Sequence, residues 1–203
     1  MKIICIGRNY VDHAKELKNT VPSNPVFFMK PDSALVTRNR PFFYPDFSHN
    51  VHHELELVIK ISRLGRSIPE KFAHRYYSEI ALGVDFTARD LQNEVKDKGL
   101  PWEISKAFDY SAPVSEFVPI DSLKNSKSID FHMNLNGQLV QKGNSKDMIF
   151  SFDKIIAYVS KFITLKTGDL IFSGTPAGVG PVKINDNLNC FLEEQKMLDF
   201  CVK

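Results

Sequence analysis

Cysteine is scarce in this chain: 203 residues hold three, Cys5, Cys190 and Cys201, and no two form a C-x-x-C pair. An odd, irregular set of thiols argues against a disulfide framework and against a thiolate zinc site, and reduced thiols suit a cytoplasmic protein. Long apolar runs are missing too. The opening "MKIICIGRNY" turns polar after three or four apolar residues, too few for a signal-peptide core or a membrane span, so no targeting or anchoring segment is expected. Nor is there a dense basic tract: 26 Lys and Arg against 24 Asp and Glu leave a net charge of +2, which favours neither nucleic acid nor a membrane surface as partner. No repeat, low-complexity tract or flexible linker divides the chain. With 43% hydrophobic and 25% charged residues it has enough apolar material for one globular domain over residues 1–203, whose expected partner is a small molecule or a second copy of itself.

The patterns that are present read as a mostly β, α+β fold with a few short helices. "KIICIG" predicts a strand ending at Gly7, and "NYVDHAKELKN" a short helix on which His13 and Glu16, three apart, share a face. "NPVFFMKP" predicts a strand closed by Pro31, and the proline-rich stretch after it an irregular segment. A strand is expected near "IALGVDFT", followed by a helix from about residue 88 to 98. Asn136-Gly137 marks a hairpin between alternating strands. Ile155, Ile156, Val159 and Phe162 have helical spacing behind a Ser151 cap, and the chain closes as a strand, a glycine-rich loop and a terminal hairpin.

The most telling segment is "NVHHELELVIK", residues 50–60. Strand alternation puts His52, Glu54 and Glu56 on one face and His53, Leu55 and Leu57 on the other, while Leu57, Val58 and Ile59 continue as an apolar run entering a core. A solvated polar face would explain the acids. Against that, two carboxylates near a core repel and lose solvation unless a cation or a proton holds them, so the alternative is half of a metal site. Asp85, alone after "IALGV", can be the third carboxylate or a helix N-cap. Three carboxylates select a hard cation, Mg2+ or Mn2+. His52 and His53 face opposite ways, which fits packing or outer hydrogen bonds better than joint ligation. Lys106 in "LPWEISKAF" stands among apolar residues, and "SGTPAGVG" allows close backbone approach to an anion but lacks the Gly-Lys-Ser/Thr ending of a phosphate loop.

In order along the chain, "GRNYVDHAKE", "FFMKP", "HHELEL", "DFTARDLQ", "KGLPWEISKAFD", "NGQLVQKG", "DMIFSF" and "GDLIFSGTPAGVGPV" resemble the fumarylacetoacetate hydrolase family, and within it the short acylpyruvate hydrolase and oxaloacetate decarboxylase branch. The resemblance runs from about residue 3 to the end of the chain. It implies the mixed β-sandwich roll of that family's C-terminal domain and a homodimer. It also implies that Glu54, Glu56 and Asp85 hold Mg2+ and that His13 and Glu16 form a water-activating dyad on a lid helix. Lys106 matches an active-site lysine, Arg89 and Gln92 match polar groups near the substrate, Thr175 matches the threonine of the substrate loop, and Arg8 and Asn9 support the pocket.

The implied activity is metal-dependent cleavage of the carbon–carbon bond of acylpyruvates, small 2-oxo acids, to a carboxylic acid and pyruvate, which leaves as an enolate. His13, oriented by Glu16, would activate the water. Decarboxylation or keto–enol tautomerisation of oxaloacetate at the same site is the alternative. A β module that uses a cation only for stability is the non-enzymatic one.

Overall fold

The computed structural model of the chain describes residues 1–16 and 20–203. The predominantly β expectation holds. A six-stranded sheet runs in the order Val26–Lys30, Ile3–Gly7, Leu170–Phe172, Leu55–Ile61, Tyr77–Val84, Val118–Pro119. Only Ile3–Gly7 and Leu170–Phe172 pair in parallel; the other neighbours are antiparallel. A second, antiparallel sheet of four strands, Gln138–Asn144, Asp130–Leu135, Asn187–Leu192 and Gln195–Cys201, packs against the first. The Asn136-Gly137 hairpin forms as expected, with φ of 52° and 80° matching the twist that a two-residue turn needs.

Among the described residues five short α-helices fill the gaps: α1 (Val11–Glu16), α2 (Glu70–Ala73), α3 (Arg89–Asp97), α4 (Glu103–Lys106) and α5 (Phe152–Val159). The first helix begins two residues later than its pattern suggests, and positions 17–19 of the expected span lie outside the described residues. Ser151 caps α5 by accepting from the Lys154 N–H. That helix stops at Val159, so Phe162 falls beyond the amphipathic face and stands 59% exposed, set against the rings of Phe27 and Tyr158.

One departure from the sequence pattern positions the site. The run 50–60, expected as a single strand, is two: Val51–His53 joins Gly180–Pro181 and Thr87–Ala88 in a small sheet, and Leu55–Ile61 joins the large one. The change occurs at Glu54. There the Glu54 carbonyl accepts from the Asp85 N–H, while the Leu55 N–H is taken by the Gln141 side chain. Alternation survives the break. Leu55, Leu57 and Ile59 pack into the core shared with the four-stranded sheet, and Val58 packs on the opposite face with Cys5 and Phe172, the face that carries Glu56. Burying each large aliphatic side chain contributes about 1.5–3 kcal/mol. Leu55, Leu57, Ile59 and Ile61 together therefore offset the several kcal/mol needed to take two neighbouring carboxylates out of water.

Candidate active site and metal centre

Glu54, Glu56 and Asp85 converge at the strand ends, 5%, 1% and 1% exposed, and one oxygen from each lies within 4.8 Å of the others. Asp85 follows directly on the strand Tyr77–Val84 and is not spent as a helix cap, since Ala88 holds that position for α3. Three buried carboxylates so close need positive charge. Lys106 donates to Glu54 Oε2 at 2.8 Å and to Asp85 Oδ2 at 2.7 Å, and Arg89 bonds Glu54 Oε1 and Gln92 Oε1.

The surroundings divide the two glutamates. Burial alone would raise the Glu54 carboxyl, but Lys106, Arg89 and His13 outweigh it and hold it well below the usual carboxylate range. Glu56 goes the other way: burial, then Asp85 and Glu54, push it well above that range, and the Lys106 charge and the Gly174 N–H only partly oppose them. Among the described residues no cation pairs with Glu56, whose Oε2 accepts from Gly174 N at 2.6 Å. An all-oxygen cluster with one acid short of positive charge fits a hard divalent ion. Burial lowers Lys106, yet Asp85 and Glu54 more than reverse it, so the ammonium stays charged. Two of its three N–H groups are spent; one remains for a ligand oxygen.

The pocket over this cluster is lined by Arg8, His13, Arg89, Gln92, Lys106 and Thr175, to which the resemblance assigns roles, and also by Ile6, Gly7, Phe28, Lys96 and Trp102. Glu16 stands behind His13 rather than in the lining. His13 Nδ1 lies 3.2 Å from Glu16 Oε2, and because a carboxylate only accepts, Nδ1 carries a proton, which in the neutral ring makes Nε2 the free nitrogen. Glu16 also accepts from the Gly178 N–H, tying α1 to the glycine-rich loop. Asn9 does not line the pocket. Its amide bonds Phe150 O and Ser173 O and its oxygen takes the Phe150 N–H, so it braces the chain on which Arg8 sits. His52 lies off the cluster with Asn50 at 3.0 Å, and burial followed by Arg89 lowers it to about 4.

Two buried residues that carry no role in the sequence reading organise the site. Lys30, at the end of "VFFMK", lies 2.9 Å from Asp85 Oδ1 and donates to Ser111 Oγ, to the carbonyls of Phe86 and Ser111, and to that of Lys106. Its signal was a lysine closing an apolar run just before a proline.

Gln141 spends every donor and acceptor it has. Oε1 accepts from Leu55 N at 2.9 Å and from His53 Nδ1 at 3.0 Å; Nε2 donates to Thr175 Oγ1 at 2.9 Å and to Pro176 O at 3.1 Å. The Thr175 hydroxyl in turn donates to Leu55 O. The carboxylate strand and the glycine-rich loop are therefore registered through one side chain. Gln141→Met leaves the Leu55 N–H and Pro176 carbonyl unpaired, and we expect a loss of about 2–4 kcal/mol in denaturant unfolding from two unsatisfied buried groups. A loss under 1 kcal/mol would contradict that bracing role.

The model of the fumarylacetoacetate hydrolase C-terminal domain matches residues 2–202. The chain belongs to the fumarylacetoacetate hydrolase family. The mitochondrial oxaloacetate tautomerase FAHD1 of Mus musculus is 46% identical over 201 residues, 99% of this chain and 91% of that protein. The mitochondrial oxaloacetate decarboxylase of Dictyostelium discoideum is 45% identical over 190 residues, 93% and 87%. The crystal structure of fumarylpyruvate hydrolase from Pseudomonas aeruginosa, in complex with Mn2+ and pyruvate, superposes with a TM-score of 0.94 at 34% identity, covering all of this chain and 89% of that one. Members of this family are enzymes, and the relatives' names favour the oxaloacetate reactions over acylpyruvate hydrolysis.

They also correct one expectation. A cytoplasmic location conflicts with relatives named as mitochondrial in mouse, human and Dictyostelium. Free, mostly buried thiols argue against an oxidising compartment, but they do not distinguish one reducing compartment from another. No helix among the described residues is long and apolar enough to cross a membrane.

Proposed function

We propose that this protein catalyses the keto–enol tautomerisation of oxaloacetate. The observation that carries the reading is the convergence of the carboxylate cluster, charged Lys106 and the His13–Glu16 pair on one pocket in a chain 46% identical to an oxaloacetate tautomerase. Glu54, Glu56 and Asp85 would hold Mg2+, with Mn2+ suited to the same donors, and the ion would supply a Lewis acid for a 2-oxo acid.

The protein's own groups then move the proton. His13 Nε2 takes a hydrogen from the carbon beside the ketone, Glu16 holds the resulting imidazolium through Nδ1, and the bonding electrons pass to the keto oxygen. Lys106 turns its remaining N–H to that oxygen and offsets the developing charge. The His13 imidazolium gives up the proton it took and the oxygen gains one, so the enol forms with no net change in protons, and the reverse path returns it to carbon. Arg89, Gln92 and the Thr175 loop orient the substrate, and with α1 tied down to the loop they keep water from the reacting carbon.

Decarboxylation of oxaloacetate is the second reading, favoured by the Dictyostelium relative. It breaks a carbon–carbon bond without a base. His13→Ala is therefore expected to lower tautomerisation by about 10²–10⁴-fold and decarboxylation far less, followed by the enol's ultraviolet absorbance and by release of carbon dioxide. Equal losses in both would remove His13 from its role as base. EDTA should stop both reactions and Mg2+ restore them. If the protein released pyruvate from acetylpyruvate yet left oxaloacetate unchanged, acylpyruvate hydrolysis would replace this reading. We further propose one catalytic domain over residues 1–203 and a homodimer, which light scattering on the eluting protein checks.

A further inference from the structure

The mouth of the pocket holds positive charge that the carboxylate cluster does not use. Arg89, Gln92 and Lys96 stand at i, i+3 and i+7 on α3 and so follow one face of the helix, from the cluster outward over about 10 Å at 1.5 Å per residue. Lys96 and, from the chain after the first strand, Arg8 line the pocket, both half-buried. Among the described residues neither has a carboxylate within ion-pair distance, and the Lys96 ammonium lies 5.7 Å from the centroid of the Trp102 ring. Burial, then Arg89 and Arg8, lower Lys96 to about 8, and Glu54 opposes them only in part. Arg8 is held at φ 60°, a left-handed conformation that a residue with a side chain adopts at a cost, and the Asn9 bonds to Phe150 and Ser173 keep it there. Among the described residues Arg89 Nε, buried, has no hydrogen-bond partner. Unpaired cations at the open end of a pocket whose closed end takes a 2-oxo acid head group call for an anion at the far end of the ligand.

We propose that Lys96, with Arg8, forms the subsite for a second carboxylate, so that the pocket is built for dianionic 2-oxo acids. The inference rests on the reading above, in which the carboxylate cluster receives the 2-oxo acid head. One assay with the Mg2+-loaded protein gives both the KM for oxaloacetate, which has the second carboxylate, and the inhibition constant of pyruvate, which is the head group alone. In Lys96→Met the ratio of the two should rise at least tenfold, and further in Lys96→Met/Arg8→Met. Lys96→Arg, which keeps the charge, should bring the ratio back to within threefold of wild type. A ratio within twofold of wild type in both the single and the double variant would overturn the proposal, as would an equal rise in both constants. Wild-type protein inert toward oxaloacetate would count against the reading of the reaction instead. The subsite would then be decided by the same ratio, measured with acetylpyruvate and its ω-carboxylated homologue.

Discussion

Glu56→Gln loses divalent-ion binding and lowers oxaloacetate turnover by about 10³-fold, since a Lewis acid is worth several kcal/mol and each 1.36 kcal/mol is a decade in rate. The amide keeps the shape and the Gly174 contact, so the fold survives and the loss reads on the ion. pH separates this residue from its neighbour. Glu56 is raised above its ordinary 4.5, so the metal-free folded chain retains a proton there that the unfolded chain has released. Stability of the metal-free protein therefore falls as pH rises above about 4.5, and ion binding expels the proton and tightens over the same window. Glu54 has the opposite sign: its carboxyl is depressed, so its contribution is present above 4.5 and lost as pH falls below it. Calorimetric titration with Mn2+ in buffers of different ionisation enthalpy counts the protons released. Wild-type binding with no proton release, or undiminished binding in Glu56→Gln, would remove Glu56 from the ligand set.

Lys30→Met destabilises the protein by about 3–5 kcal/mol, because it leaves one side of a fully buried carboxylate without its cation. Lys30 is 1% exposed and its ammonium serves Asp85 and four further oxygens, so no water replaces it without opening the core. The double variant Lys30→Met/Asp85→Asn removes the stranded charge together with its partner and should recover part of the loss, giving a coupling of about 0.5–3 kcal/mol in a double-mutant cycle. Urea unfolding of the four proteins measures it. Additive losses would mean that the pair is adjacent without being coupled. Lys106 already serves Glu54 and Asp85 Oδ2, so the Oδ1 side of Asp85 is the one left bare.

Much of the local structure was legible from residue order. The Asn136-Gly137 turn needs positive φ at both positions, and Ser151 supplies an acceptor at a helix start; each depends on a few neighbouring atoms and forms as expected. The acidic face of residues 54 and 56 follows from alternation, which survives the change of sheet at Glu54. The break itself was not legible. It is made by Gln141, 86 positions away from Leu55 along the chain, taking a backbone N–H that a regular ladder would pair with another strand.

By itself the sequence determined a mostly β chain with nearly balanced charge, paired acids at strand spacing, a His and a Glu one helical turn apart, and the run of motifs that mark the family. Local sterics and periodicity suffice for these, because each is set within about a turn of helix or a few strand positions. Only the tertiary structure decided which cations answer the buried acids. Lys30 and Lys106 reach Asp85 from different elements, Lys96 stands unpaired at the mouth, and Glu56 is left without a described cation. Coulomb interactions depend on separation in space and on burial rather than on order along the chain, so a lysine read in sequence is a surface residue until the fold removes its water.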